Sequence, residues 1–472
     1  MSASASEPVG LDRVDDEGYE RGLKNRQISM MAIGGAIGVG LFLGAGAAIE
    51  SSGPALIASY AVAGVVIFLI MRALGELLVY RPVSRSFADY AEEFLGRFPA
   101  FATGWVYWLM WVVTAMAEIT AAGIYVQYWF PSIPQWVTAA VVLGALFLAN
   151  LISVKVFGEF EFWFSMIKVV TIIGAILLGL AVIIFGFGPA GEAASFAHLW
   201  NQGGFFPNGG SSALLALQSV MFAYLGVELI GLTAGEAKNP EKVLPKAINN
   251  VVVRIAVFYV GALVVLLSLV PWTEFHKGES PFVRAFDAIG IHGAAGIIQF
   301  VVLTAALSSC NSGIYSTGRM LRTLAVQRSA PKPFAKLSSR KVPANSIYAS
   351  AAVMAFGILI NAVVPEKAFT YVTSVATVGV LWTWGVILLC QLRYRRKVNA
   401  GELPAAAFRM PGAPWTGYFG LAFLALVVVL LGFTEDTRIA LYVTPVVGVV
   451  LAIGYRLSAR HRVPADKASV TS

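Results

Sequence analysis

Apolar residues along this chain come in long blocks that short polar segments separate. The blocks at residues 139–151, 251–270 and 419–431 carry one charge between them, Arg254, which lies near a block end. With their neutral flanks, such blocks reach the roughly 20 mostly apolar residues that a helix needs to cross a bilayer. Twelve blocks start, in order, near Ile28, Pro54, Phe101, Val137, Phe160, Ser211, Val251, Gly293, Ser346, Phe369, Gly417 and Ile439.

These blocks predict helices and not strands. Inside lipid, every backbone N–H and C=O group must be satisfied within the protein, which leaves helices and closed barrels as spanning structures. A barrel would show segments of about ten residues that alternate between apolar and polar, and these runs do not alternate. The sequence therefore predicts an all-α membrane protein with twelve transmembrane helices.

Composition supports a membrane protein over a soluble one. The chain is 58% hydrophobic and 13% charged, whereas soluble chains are about one quarter charged. The first 25 residues are polar and acidic, unlike a cleavable secretory signal, and we expect residues 1–25 and 457–472 to be cytoplasmic tails. Both cysteines, Cys310 and Cys390, fall in apolar blocks, so we expect buried thiols and no disulfide.

Positive charge is distributed unevenly among the predicted connections. If the N-terminus is cytoplasmic, the outside connections hold only Lys277, Arg284, Lys367 and Arg438 of the 34 Lys and Arg residues, and nearly all others fall inside. This asymmetry predicts that both termini lie in the cytoplasm and that the protein sits in the inner membrane. The net charge of +8 then faces anionic lipid and does not indicate nucleic acid as a partner.

Two predicted spans contain features that break helices. The first has six glycines within residues 32–46, and the sixth has Gly226 and Gly231 on either side of Glu228. Small residues also permit close helix packing, but an interrupted helix beside a cavity can hold a carboxylate on its free N–H groups and a cation on its free carbonyls. A free amino acid carries both groups. Breaks five spans apart also predict two five-helix repeats of opposite topology.

Several motifs, in order along nearly the whole chain, resemble the amino acid permeases of the amino acid–polyamine–organocation superfamily. They are IGGAIG at 33–38, GP at 53–54, MRALGE at 71–76, GEFEFW at 158–163, GVE at 226–228, NPEK at 239–242, NS at 311–312 and RML at 319–321. This resemblance implies a LeuT-like 5+5 inverted repeat, with repeats at about 26–187 and 209–397, helices 11 and 12 at about 413–456, and helices 1 and 6 interrupted.

The resemblance also implies where an amino acid would bind. Its ammonium would meet carbonyls near Ala36 and Leu225, its carboxylate would meet N–H groups near Val39 and Gly40, and Phe222 would close over it. An ordinary core aromatic is the alternative for Phe222. The expected substrate-binding residues are Ala36, Ile37, Gly38, Val39, Gly40, Phe222, Ala223, Leu225 and Gly226.

Within the family, four stretches are similar to permeases for D-serine, D-alanine and glycine. They are WVVT at 111–114, ASFAHLWN at 194–201, SPFV at 280–283 and EDTR at 435–438. Glu118 departs from that pattern, which leaves proline-type and asparagine-type substrates open.

Four charged residues in or near the predicted spans are candidates for proton coupling: Lys168, Glu118, Glu228 and Glu236. Burial favours the neutral form of a lysine, and the resemblance implies that Lys168 occupies the place of a sodium ion. Snorkelling is the alternative for Lys168, a structural hydrogen bond for Glu228 and a solvated helix end for Glu236. Asn311, in the eighth predicted span, fits either a contact between helices or the pocket.

Other functional classes lack their sequence features. We find no phosphate-binding loop for an ATP-driven pump, no catalytic cluster for an enzyme, and no metal or cofactor motif. The four histidines, His198, His276, His292 and His461, are not spaced as ligands. The sequence therefore predicts a proton-coupled importer of small neutral amino acids, with an amino acid exchanger and a non-transporting amino acid sensor as alternatives.

Overall fold

The computed structural model describes residues 37–81, 87–152, 154–186, 193–229, 240–290 and 293–460. Within these ranges the chain forms helices and no strand. The α-helices are α1 Ala45–Ser52, α2 Leu56–Tyr80, α3 Ala88–Leu95, α4 Arg97–Gln127, α5 Gln135–Ile152, α6 Val154–Phe185, α7 Gly209–Ala223, α8 Pro240–Ile255, α9 Ala262–Leu269, α10 Pro281–Ala288, α11 Ala294–Val326, α12 Ala344–Met354, α13 Phe356–Val363, α14 Pro365–Asn399, α15 Trp415–Leu430 and α16 Ile439–Arg460.

The all-helical prediction is confirmed, and helices lie at every predicted block from the second to the twelfth. Nine helical stretches in the described residues are long and apolar enough to cross a membrane. One of them, Gly40–Tyr80, contains a turn at Gly53 between α1 and α2, and α7 and α15 are apolar but shorter. The exact count of twelve spans and the inverted repeat stay predictions, as do the repeat boundaries.

Two tail predictions fall outside the described residues. The N-terminal tail at 1–25 and the first half of the first predicted span precede residue 37, and residues 461–472 follow α16. Within the described part, α16 continues to Arg460, past the expected boundary of the permease domain at residue 456.

Helix α6 shows why the sequence folds as it does. Trp163, Val170, Leu177 and Ile184 recur every seven residues, or about two helical turns, and all four are exposed at the surface of the bundle. The opposite face is buried and carries three polar residues, Glu161, Ser165 and Lys168. An apolar outer face with a polar inner face is the reverse of a soluble helix and suits lipid contact. The buried face includes Glu161, Ser165, Lys168, Ile172, Ala175 and Val182.

Helix α4 lies at the centre of the bundle and contacts α5, α11 and α14. Glycines let the neighbours approach it closely: a Cβ on Gly379 of α14 would lie 2.8 Å from the Met110 side chain, and one on Gly357 of α13 would lie 2.8 Å from Met116. Small residues at helix contacts are how spans pack when lipid removes the hydrophobic drive between them. This packing fixes the middle of α4, which carries Thr114 and Glu118.

Connections predicted to share one side of the membrane do meet at one end of the bundle. Asp436, between α15 and α16, pairs with Lys367 at 2.9 Å and with Lys277 at 3.7 Å. The backbone N–H of Lys277 donates to Glu50 at the end of α1, at 2.8 Å. The up-and-down topology predicted from charge agrees with these contacts, and the orientation across the membrane stays a prediction.

Candidate functional site

The first interruption lies where the described chain begins. Ile37 and Gly38 are not helical, helical geometry starts at Val39, and a π-helical turn covers Gly40–Gly44 before α1. The N–H of Leu41 donates to the carbonyl of Gly38 at 3.3 Å. The start of a helix leaves its first N–H groups without intrahelical partners, so this end can bind an anion as the sequence predicts.

The second interruption follows α7. That helix ends at Ala223, and residues 224–228 form turns around Gly226, whose φ of +96° favours glycine. The Gly226 N–H donates to Glu228 Oε2 at 3.1 Å, and the Tyr259 hydroxyl donates to the Ala223 carbonyl at 3.1 Å. Side chains therefore satisfy part of the backbone that the break exposes.

The two interruptions touch each other. A Cβ placed on Gly40 would lie 2.6 Å from Cα and 3.0 Å from N of Ala223. Contacts that close to backbone atoms cannot be relieved by a side-chain rotation, so the chain requires glycine at this position. The contact brings the N-terminal end of one half-helix against the C-terminal end of another, as an amino acid site needs.

A small cavity of about 10 Å³ lies at this contact, which is room for about one water molecule. The Phe222 ring meets the Phe369 ring edge to face, with centroids 6.4 Å apart. An amino acid is larger than this cavity, so binding requires these walls to separate. The lining residues are Gly38, Gly40, Trp111, Thr114, Glu118, Phe222, Ala223, Leu225 and Ser309.

Glu118 projects from α4 into the first interruption. Its side chain is 2% exposed, and Oε1 lies 3.0 Å from where a Cβ on Gly38 would be. The carboxylate interacts with the Ser309 side chain and with the Val39 backbone N–H. A protein carboxylate thus lies beside a backbone group that the sequence assigns to the substrate carboxylate.

Lys168 approaches the same interruption from α6. Its side chain is fully buried, and Nζ donates to the Ile37 carbonyl at 3.1 Å and to Ser308 Oγ of α11 at 3.0 Å. Ser308 in turn donates to Glu161 Oε1 at 2.8 Å, and Ser165 donates to the same oxygen at 3.2 Å. This burial argues against the snorkelling alternative.

The structure brings most of the predicted site residues together. Gly38, Gly40, Phe222, Ala223, Leu225 and Glu118 line the cavity. Lys168 reaches the same interruption through the Ile37 carbonyl. Glu228 instead lies in the second break next to Tyr107 and Trp384. Ala36 and Glu236 lie outside the described residues.

Sequence reasoning missed Glu161, Ser308 and Ser309 as members of this site. Glu161, Ser165 and Lys168 stand at i, i+4 and i+7, the spacing of one helical face, which is a signal that could have found the first of them. Asn311 is not among the residues that line the cavity. Its Oδ1 accepts a hydrogen bond from Asn150 Nδ2 at 2.8 Å, which is a contact between helices. Among the described residues, no group of three His, Cys, Asp or Glu side chains could hold a metal ion.

Comparison with known proteins gives one family. The sequence model described as "Amino acid permease" matches residues 27–468. The uncharacterized amino acid permease YtnA of Bacillus subtilis is 51% identical, over 95% of this chain and 97% of its own length. The probable threonine/serine transporter YbxG of the same organism is 46% identical, over 92% and 94%. The L-asparagine permease of Streptomyces coelicolor is 44% identical, over 93% and 91%.

Proposed function

The chain belongs to the amino acid permease family, and we propose that it imports small neutral amino acids of the D-alanine, D-serine and glycine type together with protons. Members of this family are permeases and not enzymes, so the chain is a multi-pass membrane protein that transports amino acids. The proposal adds the substrate type, the coupling ion and the direction.

The hydrogen bond from Lys168 Nζ to the Ile37 carbonyl carries the proton-coupling part of the proposal. A charged ammonium makes stronger hydrogen bonds than a neutral amine. Protonated Lys168 therefore holds α6 to the interruption beside the cavity through this hydrogen bond, and loss of the proton weakens the bond. Protonation and the shape of the binding site are thereby linked, which is what symport requires.

The cavity walls support a zwitterion with a small neutral side chain. Phe222, Ala223 and Leu225 are apolar, and a second unpaired charge buried against them would cost several kcal/mol. We propose that Glu118 leaves the Val39 N–H when substrate arrives, so that the substrate carboxylate accepts from that N–H. Glu118 then faces the substrate ammonium.

A second substrate type is favoured by the relatives. Two of them are named for threonine, serine or L-asparagine, whose side chains are small, neutral and polar. The cavity has hydroxyl groups on Thr114 and Ser309 to receive such a side chain. Thr114 already donates to the Met110 carbonyl at 2.7 Å, so its oxygen is placed to accept a further hydrogen bond.

The proposal also includes the orientation of the protein across the membrane. Lys277 and Lys367 meet at one end of the bundle, and they are among the few basic residues on the predicted outside. The basic connections at the other end then face the cytoplasm. We propose an inner-membrane protein with both termini in the cytoplasm.

Uptake into proteoliposomes tests the proposal. Labelled glycine, D-alanine, D-serine, L-threonine, L-asparagine and L-proline would be offered with an inward proton gradient, with a sodium gradient, and with neither. We expect accumulation of the small neutral amino acids under the proton gradient alone. Uptake that needs sodium, or that occurs only against preloaded amino acid, would replace symport by sodium coupling or exchange. Binding without any uptake would favour a sensor.

A further inference from the structure

Glu161, Ser308 and Lys168 form a continuous hydrogen-bonded chain in the centre of the bundle. Lys168 Nζ lies 3.0 Å from Ser308 Oγ, and Ser308 Oγ lies 2.8 Å from Glu161 Oε1. All three side chains are fully buried. The chain joins a cation and an anion on α6 through one hydroxyl on α11.

The chemistry of the three groups fixes the direction of these bonds. An ammonium can only donate, and an ionised carboxylate can only accept. Ser308 must therefore accept from Lys168 and donate to Glu161 at the same time. Its hydroxyl is oriented to pass a proton from the lysine to the glutamate.

We propose that Ser308 relays the coupling proton of Lys168 to Glu161, so that Glu161 is the next proton carrier. The inference rests on the proposed proton symport. An Nζ–H bond of the ammonium breaks and its proton goes to Ser308 Oγ, while the proton of Ser308 moves to Glu161 Oε1. Lys168 becomes a neutral amine and Glu161 a neutral acid, so the summed charge of the pair does not change.

Conserving the charge makes this step favourable at a buried position. Direct loss of the Lys168 proton would leave an unpaired Glu161 carboxylate, and an unpaired buried charge is costly. With the relay, the carboxylate is neutralised in the same step that neutralises the lysine. The charge imbalance appears only when Glu161 later releases its proton.

Glu161 is placed to release that proton. It precedes Lys168 by seven residues on α6, about 10 Å along the axis at 1.5 Å per residue, towards the helix end that the charge pattern predicts to be cytoplasmic. Its second oxygen, Oε2, is buried and accepts no hydrogen bond from the residues that the structure describes. Half a turn of the carboxyl group brings the protonated oxygen to the position of Oε2, away from Ser308, from which the proton can pass to an acceptor.

A second carboxylate lies on the other side of the lysine. The charged groups that act on Lys168 are Glu161, from its own helix, and Glu118, from α4. Glu118 interacts with Ser309 and lines the substrate cavity, whereas Glu161 is bound by the adjacent Ser308. The neighbouring serines of α11 thus separate a carboxylate on the substrate side from one on the exit side.

The relay is tested by comparing net transport with exchange in the full-length protein. Exchange of internal for external substrate returns the carrier with its proton still bound, so it needs no relay, whereas net uptake does. Glu161→Gln and Ser308→Ala should lower proton-driven accumulation by about a hundredfold, the low end of what a positioned proton-transfer group contributes, and leave exchange near the wild-type rate. Acidification inside vesicles, read from a trapped pH dye, should fall in parallel.

Matched variants separate the relay from a structural role. Glu159→Gln removes a carboxylate of the same helix, two residues from Glu161, that has no part in the relay, and it should retain net uptake. Ser308→Thr keeps a hydroxyl and should restore most of the activity that Ser308→Ala loses.

Three outcomes would overturn the relay. Glu161→Gln could accumulate substrate like the wild type, or it could lose exchange and accumulation in equal proportion, which indicates structural damage. Ser308→Thr could be as inactive as Ser308→Ala. If the wild type itself ignores the proton gradient, the proposed function fails first, and that result is distinct from a failure confined to the variants.

Discussion

Glu76 and Glu161 are both buried carboxylates near a cationic side chain, and the protein holds them differently. Glu76, at the end of α2, accepts directly from Arg395 Nε and Nη2, from Gln391 Nε2 at 3.0 Å and from the Met410 N–H at 2.9 Å. Glu161 accepts from Ser165 and Ser308, and its bond to the nearby lysine passes through Ser308.

The chemistry of the two cations explains the difference. Arginine stays protonated in proteins and forms a fixed bidentate pair, whereas lysine can lose its proton when buried. The Glu76–Arg395 pair joins α2, α14 and the segment before α15, so it suits a permanent tie. The Lys168–Ser308–Glu161 chain is indirect and leaves one oxygen without a partner among the described residues, which suits a group that must change its protonation state.

The largest expected effect comes from removing the ionisable cation. Lys168→Ala should lower proton-driven accumulation by about a hundredfold or more. Substrate binding should stay measurable because the backbone of the interruptions remains. Lys168→Arg sharpens the comparison, since it keeps a positive charge that cannot be released, and it should also fail to accumulate substrate. Proteoliposome uptake with calorimetric binding checks both, and full accumulation by Lys168→Arg would show that no proton leaves this site.

A substitution at the contact between the two interruptions should lower substrate affinity. Gly40→Val places a branched side chain where the Ala223 backbone lies within 2.6 Å of Cβ, so the two half-helices must separate. We expect substrate affinity to fall by about a hundredfold, or about 2.7 kcal/mol, with membrane insertion retained because valine is apolar. Gly144→Val is the matched control, since a Cβ on Gly144 meets nothing within 4 Å. Equal affinities for the two variants would contradict the interrupted-helix site.

Breaking the Glu76–Arg395 pair should lower the stability of the protein and leave proton coupling unchanged. Glu76→Gln leaves Arg395 without its carboxylate, and breaking a buried pair costs about 3–5 kcal/mol, which we reduce to about 2–3 kcal/mol because the Arg395 side chain is one-fifth exposed. The apparent melting temperature in detergent should therefore fall, while surviving protein keeps the same ratio of protons to substrate. Glu366→Gln, at an exposed position, is the control. A changed proton ratio in Glu76→Gln would mean that this pair also takes part in coupling.

The sequence predicted the parts of this molecule that depend on local pattern. Apolar blocks predicted the helices, and glycines at 38, 40 and 226 predicted where backbone departs from a regular helix. The pairing of Glu161 with Ser308 joins residues 147 positions apart, and that of Glu76 with Arg395 joins residues 319 apart. Nothing in the local pattern specifies which distant residue a buried carboxylate meets, because helix packing decides it. Glu161 could have been recognised only as a polar member of the face that carries Lys168.

A third carboxylate, Asp436, forms an exposed ion pair, and we expect this pair to stabilise the fold less than the buried Glu76–Arg395 pair does. Its side chain is one-quarter exposed at the bundle end, where the hydrogen bond from Lys367 holds its pKa below the usual value of 3.8. A depressed pKa in the folded state means that the pair stabilises the fold above pH 3.8 and that this contribution is lost as the pH falls further. Exposed pairs contribute little because water competes for both partners and salt screens them. Asp436→Asn should therefore lower the apparent melting temperature by no more than about 2 °C at neutral pH, and by less once the pH falls below the lowered pKa of Asp436, where the folded wild-type carboxyl is itself protonated. Melting curves at several pH values and salt concentrations would check this, with Glu402→Gln at the opposite end as control. A loss as large as that of Glu76→Gln would show that burial does not set the strength of these pairs.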